Sequence, residues 1–374
     1  MPHLVAIDMP AGPEFVDTIG RVLDRGDAFL PLDQRLDPAS RRRLTDELGA
    51  SFVDTGGDVV TLDGGRPTEP GDAVVIATSG STGDPKGVVL THDAIQASAR
   101  LGSRRLAAGV DTHWLACLPL CHVGGLSVVF KALFGGLSLT VHSSFDAERV
   151  IDAAHQGCTH VSLVPTALQR VDPSLFRCIL LGGSRPPSER PSHVIATYGL
   201  TETGGGVVYD GRALDDVTIS IASDGEILIK SPTNMRTYRD GTTAIDGDGW
   251  LHTGDVGLLT DDVLSVHGRL DDLIKTGGEK VWPDVVERVL VESFPTSTIC
   301  IVGVDDPEWG QMVVAASTDR RLGLADVRDV VKSSLPAHCA PKKLVHVDEF
   351  PRTSIGKVRR AELARLLRDS FEVD

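Results

Sequence analysis

The sequence has no excess of positive charge, no long unbroken apolar run and no paired-cysteine motif. Its 37 Lys and Arg face 52 Asp and Glu, a formal net charge of −15. That balance argues against a nucleic-acid-binding surface as the main business of the chain, and it leaves room for a locally positive site with an anionic ligand. The most apolar stretch, residues 125–141, is broken by Lys131 and by glycines and serines. It falls short of the roughly 20 residues that span a bilayer. The first residues lack the basic start and apolar core of a signal peptide. The expectation is a cytoplasmic protein with no membrane insertion. The six cysteines, Cys117, Cys121, Cys158, Cys178, Cys300 and Cys339, form no CxxC pair. Cys117, Cys121, His122 and His113 fit no ordinary zinc spacing, so the cysteines read as small buried apolar residues. No solenoid period is visible. Nor is there a Walker A loop, because Lys86 stands between Pro85 and Gly87.

What is present is a chain of 374 residues, long enough for two domains. Its most informative stretch is residues 76–91, IATSGSTGDPKGVVLT. Apolar β-branched runs at 74–76 and 88–90 read as strands. Between them lie closely spaced glycines and hydroxyls and one lysine. Glycines let backbone N–H groups approach a polyphosphate, hydroxyls donate hydrogen bonds, and Lys86 supplies a mobile charge. The bland alternative is a flexible Ser/Gly turn.

Upstream, Phe15, Ile19, Val22 and Leu23 recur at helical spacing. Residues 28–32 are a strand candidate, and 38–48 a helix with Asp37 as N-cap and Pro38 at its first position. Residues 56–72 are rich in Gly, Pro and Asp and read as turns and linker. Residues 93–105 fit a helix capped by Thr91 or Asp93. A buried strand at 114–120 ends near His122, and an apolar helix containing Lys131 follows. Strand and helix candidates alternate to residue 199, the rhythm of a doubly wound α/β domain. From residue 217, short strands between Asp-Gly turns mark a β-rich subdomain. Beyond residue 269, helices at 284–294, 326–335 and 360–371 with strands at 298–304, 311–317 and 344–347 make an α+β domain of about 100 residues, a size that folds alone.

Residues 78–87, TSGSTGDPKG, resemble the phosphate loop of the adenylate-forming superfamily: acyl-CoA synthetases, peptide-synthetase adenylation domains and luciferases. Other segments match that superfamily in order: FLPLDQRLD at 29–37, LPLCHVGG at 118–125, LLGGS at 180–184, TYGLTET at 197–203, GWLHTGD at 249–255, GRLDDLIKTGGEKVWP at 268–283 and PRTSIGKVRR at 351–360. The resemblance implies an α/β fold. Residues 1–269 would form a large N-terminal adenylation domain of doubly wound layers plus the β-rich subdomain, with a shortened N-terminus. Residues 270–374 would form a small mobile α+β C-terminal lid, hinged near Asp271.

The resemblance also implies chemistry. A carboxylate attacks the α-phosphate of ATP and expels pyrophosphate; both reactants are anionic, so positive charge and N–H donors are needed. Thr78, Ser79, Gly80, Ser81, Thr82, Gly83 and Lys86 would hold the outer phosphates. Gly182, Gly183, Tyr198 and Gly199 would form the adenine site, with Tyr198 stacked on the base. Asp255 would accept from the ribose hydroxyls, and Arg269 would support the same sugar. The catalytic assignments are Thr201 to the α-phosphate, Glu202 to Mg²⁺, and Lys357 between the acyl carboxylate and the α-phosphate. For Glu202 the alternative is a solvated carboxylate, for Asp255 a turn residue, and for Lys357 membership of an exposed basic face with Arg359 and Arg360.

With no carrier-protein signal in the chain, coenzyme A is the expected thiol acceptor. HVGGLSVVFKALFGG, LLGGSRPP and TETGGGVVYDGRALDDV are similar to the o-succinylbenzoate–CoA ligases of menaquinone biosynthesis. That resemblance implies a small dicarboxylic acid substrate. His122 would order the acyl pocket, where the alternative is a core histidine. Lys131 would partner the second carboxylate, where the alternative is a lysine snorkelling to the surface. A ligase for another aryl or medium-chain acid, or a nucleotide-binding paralogue without turnover, stays open, as does a homodimer. Ser184, Lys280 and Trp282 depart from the commoner residues at their places.

Overall fold

The computed structural model describes residues 1–79, 85–187, 189–296, 298–352 and 358–371, with only the main chain described at 79, 85 and 370. The chain divides into two compact units. Met1–Ser220, Leu228–Thr253 and Thr260–Leu264 make the first, and Ile221–Ile227, Gly254–Leu259 and Ser265–Asp374 the second.

Capping chemistry sets the helix starts in the first unit. Asp37 accepts from the backbone N–H of Ala39 and Ser40, with Pro38 opening the helix Pro38–Leu48. Thr91 accepts from Ala94 N at 3.1 Å and opens the helix His92–Arg105. These elements flank two seven-stranded sheets. In the first, Leu4–Ile7 pairs in parallel with Ala28–Pro31 and with Phe52–Asp54. Asp72–Ser79 then turns back antiparallel as Pro85–Thr91, the arms of the phosphate-loop hairpin. The second sheet aligns Cys178–Leu181 in parallel with both His160–Leu163 and Val194–Leu200. Helices His92–Arg105 and Val123–Gly135 pack on each other, the first touching strands of both sheets. Phe130 of the second helix meets Phe29 of the first sheet edge-on at 6.4 Å. A helix pair buried on several sides explains why Val123–Gly135 is apolar nearly all round.

The second unit shows period-two alternation decoding into packing. In the antiparallel strands Ile299–Asp306 and Gly310–Ser317, Ile299, Ile301, Val313 and Ala315 join a cluster with Val286, Leu290, Val327 and Val331. Their neighbours Cys300, Val302, Val304, Met312, Val314 and Ala316 join Leu363 and Leu367. The sheet is therefore covered on both faces, by the helices Pro283–Ser293 and Leu324–Ser334 on one and Arg360–Phe371 on the other.

Three expectations need adjustment. Residues 56–72 are not only linker: Val59–Thr61 pairs antiparallel with Phe52–Asp54 as an edge strand whose side chains are exposed. An edge strand with no buried face carries little hydrophobic signal. The strand expected at 114–120 ends at Ala116, before the turn that begins with Pro119. In the β-rich segment, the strand starting at Leu251 runs ten residues to Thr260, because Gly254 and Gly257 interrupt the apolar pattern without ending the ladder. All six cysteines are free and buried. No helix among the described residues is long and apolar enough to cross a membrane.

Candidate active site

The hairpin arms bring the two sides of the phosphate loop into register. Thr78 pairs with Lys86, and its hydroxyl donates to the Lys86 carbonyl at 3.2 Å. Gly80, Ser81, Thr82 and Gly83 lie outside the described residues, as does the side chain of Ser79. The short strand Thr237–Tyr238 adds to the far side of the hairpin, opposite Val88 and Val89. Two arginines fix this strand. Arg236 grips Asp72, which is 1% exposed, at 2.8 and 2.9 Å. Arg239 donates to the carbonyls of Leu48, Arg66 and Pro67.

Tyr238 then joins two of the expected site residues. The Lys86 ammonium lies 5.0 Å from the centre of its ring, and its hydroxyl donates to Glu202 Oε1 at 2.9 Å. Sequence reasoning did not single out Tyr238. A two-residue strand beside the Asp240-Gly241 turn carries almost no periodic signal.

Thr201 and Glu202 sit on the 3-10 turn Thr201–Thr203. Thr203, fully buried, receives the Leu200 N–H at 2.8 Å and donates to the Gly205 carbonyl at 2.7 Å. Ser98 of the central helix donates to the Gly204 carbonyl at 3.0 Å, tying the turn to the helix layer. Glu202 therefore presents its carboxylate from a rigid support, and oxygen donors of this kind suit a hard divalent cation.

Tyr198 and Gly199 close the strand Val194–Leu200, while Gly182 and Gly183 follow the neighbouring strand Cys178–Leu181. The Thr197 hydroxyl donates to the Leu181 carbonyl at 3.2 Å, holding the two strand ends together. At Gly199 a Cβ would run into the Gly205 carbonyl, so this close approach of the returning strand requires glycine. The four expected adenine-site residues thus share one end of two adjacent strands inside the second sheet. They lie at the carboxyl ends of its parallel strands, where ligands of such sheets bind.

In the second unit the structure brings Asp255 and Arg269 together, Nη1 to Oδ1 at 3.0 Å. Burial alone would lower the Arg269 pKa; the Asp255 carboxylate outweighs it and leaves the guanidinium above its ordinary value. Gly254 has φ +65°, and its N–H donates to Glu226 at 2.8 Å. A Cβ at Gly254 would lie 2.8 Å from Arg269 Nη2, so a larger residue there would push Arg269 from its place. Asp271 is exposed, on the 3-10 turn Leu270–Asp272. Lys357 lies outside the described residues. The chain on either side of 353–357 is joined by a bridge between Arg352 and Val358 and by Arg359 N to the Pro351 carbonyl at 2.8 Å. Arg360 is not part of an exposed basic face. It contacts Asp272, Asp284 and Glu287 at 3.4, 2.6 and 2.5 Å.

His122 precedes the helix Val123–Gly135 as its N-cap residue, without a side-chain capping bond. Its Nε2 lies 3.0 Å from Arg35 Nη2, and Arg35 in turn holds Asp33 at 2.8 and 2.6 Å. Burial, then the Arg35 charge, lowers the His122 pKa. Lys131 lies about two and a half turns along the same helix and is 3% exposed, so it does not snorkel. Burial takes its pKa down to about 8. Among the described residues its one hydrogen bond runs to the Ser127 carbonyl at 3.4 Å.

The arms of the phosphate-type hairpin, the turn carrying Thr201 and Glu202, and the strand-end glycine pair are the segments expected for the nucleotide half of an adenylate-forming site. Family comparison agrees. Residues 58–239 match the AMP-binding enzyme family and residues 285–357 the AMP-binding enzyme C-terminal domain. A 2-succinylbenzoate–CoA ligase of Bacillus cereus is 33% identical over 339 residues, covering 79% of this chain and 70% of that protein. Among solved structures, the o-succinylbenzoate CoA synthetase of Bacillus subtilis in complex with its acyl-adenylate intermediate superposes with a TM-score of 0.85 at 28% identity, covering 96% of this chain and 88% of that one. The same enzyme in complex with ATP and magnesium ion gives 0.85 at 28%, covering 96% and 89%. The chain belongs to the AMP-binding enzyme family, on the branch of the 2-succinylbenzoate–CoA ligases.

Proposed function

We propose that this chain is an ATP-dependent acid–CoA ligase of the cytoplasm that adenylates o-succinylbenzoate and passes the acyl group to coenzyme A. The observation that carries the reaction class is the junction of Lys86, Tyr238 and Glu202, which couples the phosphate hairpin to the Thr201–Glu202 turn. The names of the similar proteins support the choice of acid.

In the first half-reaction a carboxylate oxygen of the acid attacks the α-phosphorus, and the bond to the bridging oxygen of pyrophosphate breaks. Residues 78–86 bind the departing end through backbone N–H groups, hydroxyls and Lys86. Thr201 donates to the α-phosphate. Lys357 places its point charge between the two anionic reactants, where charge develops. Tyr198 stacks on adenine beside Gly182, Gly183 and Gly199, while Asp255 accepts from the ribose hydroxyls and Arg269 orients Asp255. Glu202 would hold magnesium, which would supply positive charge against the phosphates. In the second half-reaction the thiolate of coenzyme A attacks the acyl carbon and AMP leaves. Residues 270–374 act as a lid hinged near Asp271, withdrawing Lys357 and presenting residues 276–280, so one site serves both steps. Among the described residues Lys131 has no carboxylate partner, and it lends its charge to the second carboxylate of the acid, while His122 orders the pocket.

The test is pyrophosphate release across a panel of carboxylic acids, with and without coenzyme A. Release with o-succinylbenzoate at the highest kcat/KM, and thioester only when coenzyme A is present, is the expected result. Preference for another aryl or medium-chain acid would replace the substrate. No release with any acid would replace the enzyme by a nucleotide-binding protein.

A further inference from the structure

The expected adenine-site residues lie where the strands Cys178–Leu181 and Val194–Leu200 end. Where these strands begin, at the opposite end of the sheet, there is a cavity of about 530 Å³. One wall is the loop 106–112, which joins the helix His92–Arg105 to the strand His113–Ala116. The other is built from the strand starts at His160, Cys178 and Ile195. All of it belongs to the first unit.

The charge of this cavity runs against that of the chain. The formal net charge is −15, whereas the lining holds Arg105, Arg177, His160 and His193 against one carboxylate, Asp111. In the helix that ends at Arg105, Arg100 and Arg104 pair with Asp216 and Asp215 at 3.6 and 3.4 Å. Arg105 and Arg177 have no ion pair and no hydrogen bond among the described residues.

His160 adds a neutral donor. It is 7% exposed, with its ring centre 5.0 Å from that of Trp114. The Thr159 hydroxyl accepts the His113 N–H at 2.9 Å and has one proton to give. His160 Nδ1 lies 2.8 Å from it and the His113 carbonyl 3.4 Å, so the proton goes to Nδ1. The ring's own proton is then on Nε2, which has no partner among the described residues. Burial, then the Arg177 charge, lowers the His160 pKa and favours this neutral ring. His193, by contrast, already donates from Nε2 to the Pro173 carbonyl at 2.9 Å. Val110 lines the same cavity and is 97% exposed, so an apolar body laid over it gains by leaving water.

We infer that this cavity is a second ligand site for a small organic anion, whose carboxylate or phosphate binds Arg105 and Arg177 and accepts from His160 Nε2 while its apolar body covers Val110. Guanidinium forks suit both kinds of oxyanion. The site stands on its own residues and does not depend on the ligase reading.

The test is calorimetric titration of the full chain with phenyl phosphate, benzoate and inorganic phosphate. One equivalent of phenyl phosphate or benzoate is expected to bind, and the tighter of the two identifies the anion. Arg105→Gln and Arg177→Gln, both on exposed side chains, raise that Kd about 10-fold or more and leave kcat and KM for ATP within about twofold. Val110→Ser raises it about threefold and leaves inorganic phosphate unaffected. Nitrogen NMR of the His160 ring shows Nε2 protonated and shifted by the bound probe. Binding that ignores both arginine substitutions and competes with ATP, or no binding by either organic probe, would overturn the site. Inorganic phosphate bound as tightly as phenyl phosphate would overturn the apolar contact, and a wild-type ring protonated at Nδ1 would overturn the donor. If the chain turns over no acid, the ligase reading fails and these titrations still decide the cavity.

Discussion

Lys131 and Arg360 are both cations withdrawn from water, and the protein treats them in opposite ways. Arg360 opens the helix Arg360–Phe371 with three carboxylates around it; burial would lower its pKa, but Glu287 and Asp284 outweigh that and hold it well above its usual range. Lys131 is more deeply buried, has a carbonyl for a partner, and its pKa falls to about 8. A charge with a full set of counter-ions serves the structure of its own unit. A charge without one costs folding free energy.

The largest expected break in this contrast comes from Arg360→Met. It strands Asp284 and Glu287 beside an apolar side chain, and denaturant unfolding is expected to show a loss of about 3–5 kcal/mol. Lys131→Met works in the other direction. The folded pKa of about 8 lies below the ordinary lysine value of 10.5, so between those limits the unfolded chain binds more protons. Wild-type stability therefore rises from pH 8 to 10.5 and levels off above, while below pH 8 the full penalty is present. The substitution removes that penalty, raising stability at pH 7 by about 3 kcal/mol and flattening the alkaline rise. A Met variant no more stable than wild type would mean that Lys131 has an internal counter-charge. Melting curves across pH in both proteins separate the two outcomes.

Much of the fold was legible because its signals are local. Asp37-Pro38 and Thr91 announce helix starts by capping chemistry, and the apolar runs at 298–304 and 311–317 announce strands. The family was legible because its motifs are contiguous in sequence, and residues 58–239 match the AMP-binding enzyme family. What escaped lies in pairings between distant short segments. Tyr238 reaches Glu202 from a two-residue strand. Arg35 reaches His122 across a separation that no local pattern encodes. Arg360 read as part of a basic face because three carboxylates from other elements are invisible in its own helix. Lys131 read either as the partner of a substrate carboxylate or as a lysine snorkelling to the surface, and at 3% exposure it does not snorkel.

The central claim is that one lysine serves adenylation and not thioester formation. The direct measurement is acid-dependent ATP–pyrophosphate exchange by Lys357→Ala, set beside its synthesis of thioester from supplied acyl-adenylate and coenzyme A. The account predicts exchange reduced about 100-fold or more, with the second half-reaction kept within several-fold of wild type. Equal loss of both half-reactions would contradict it.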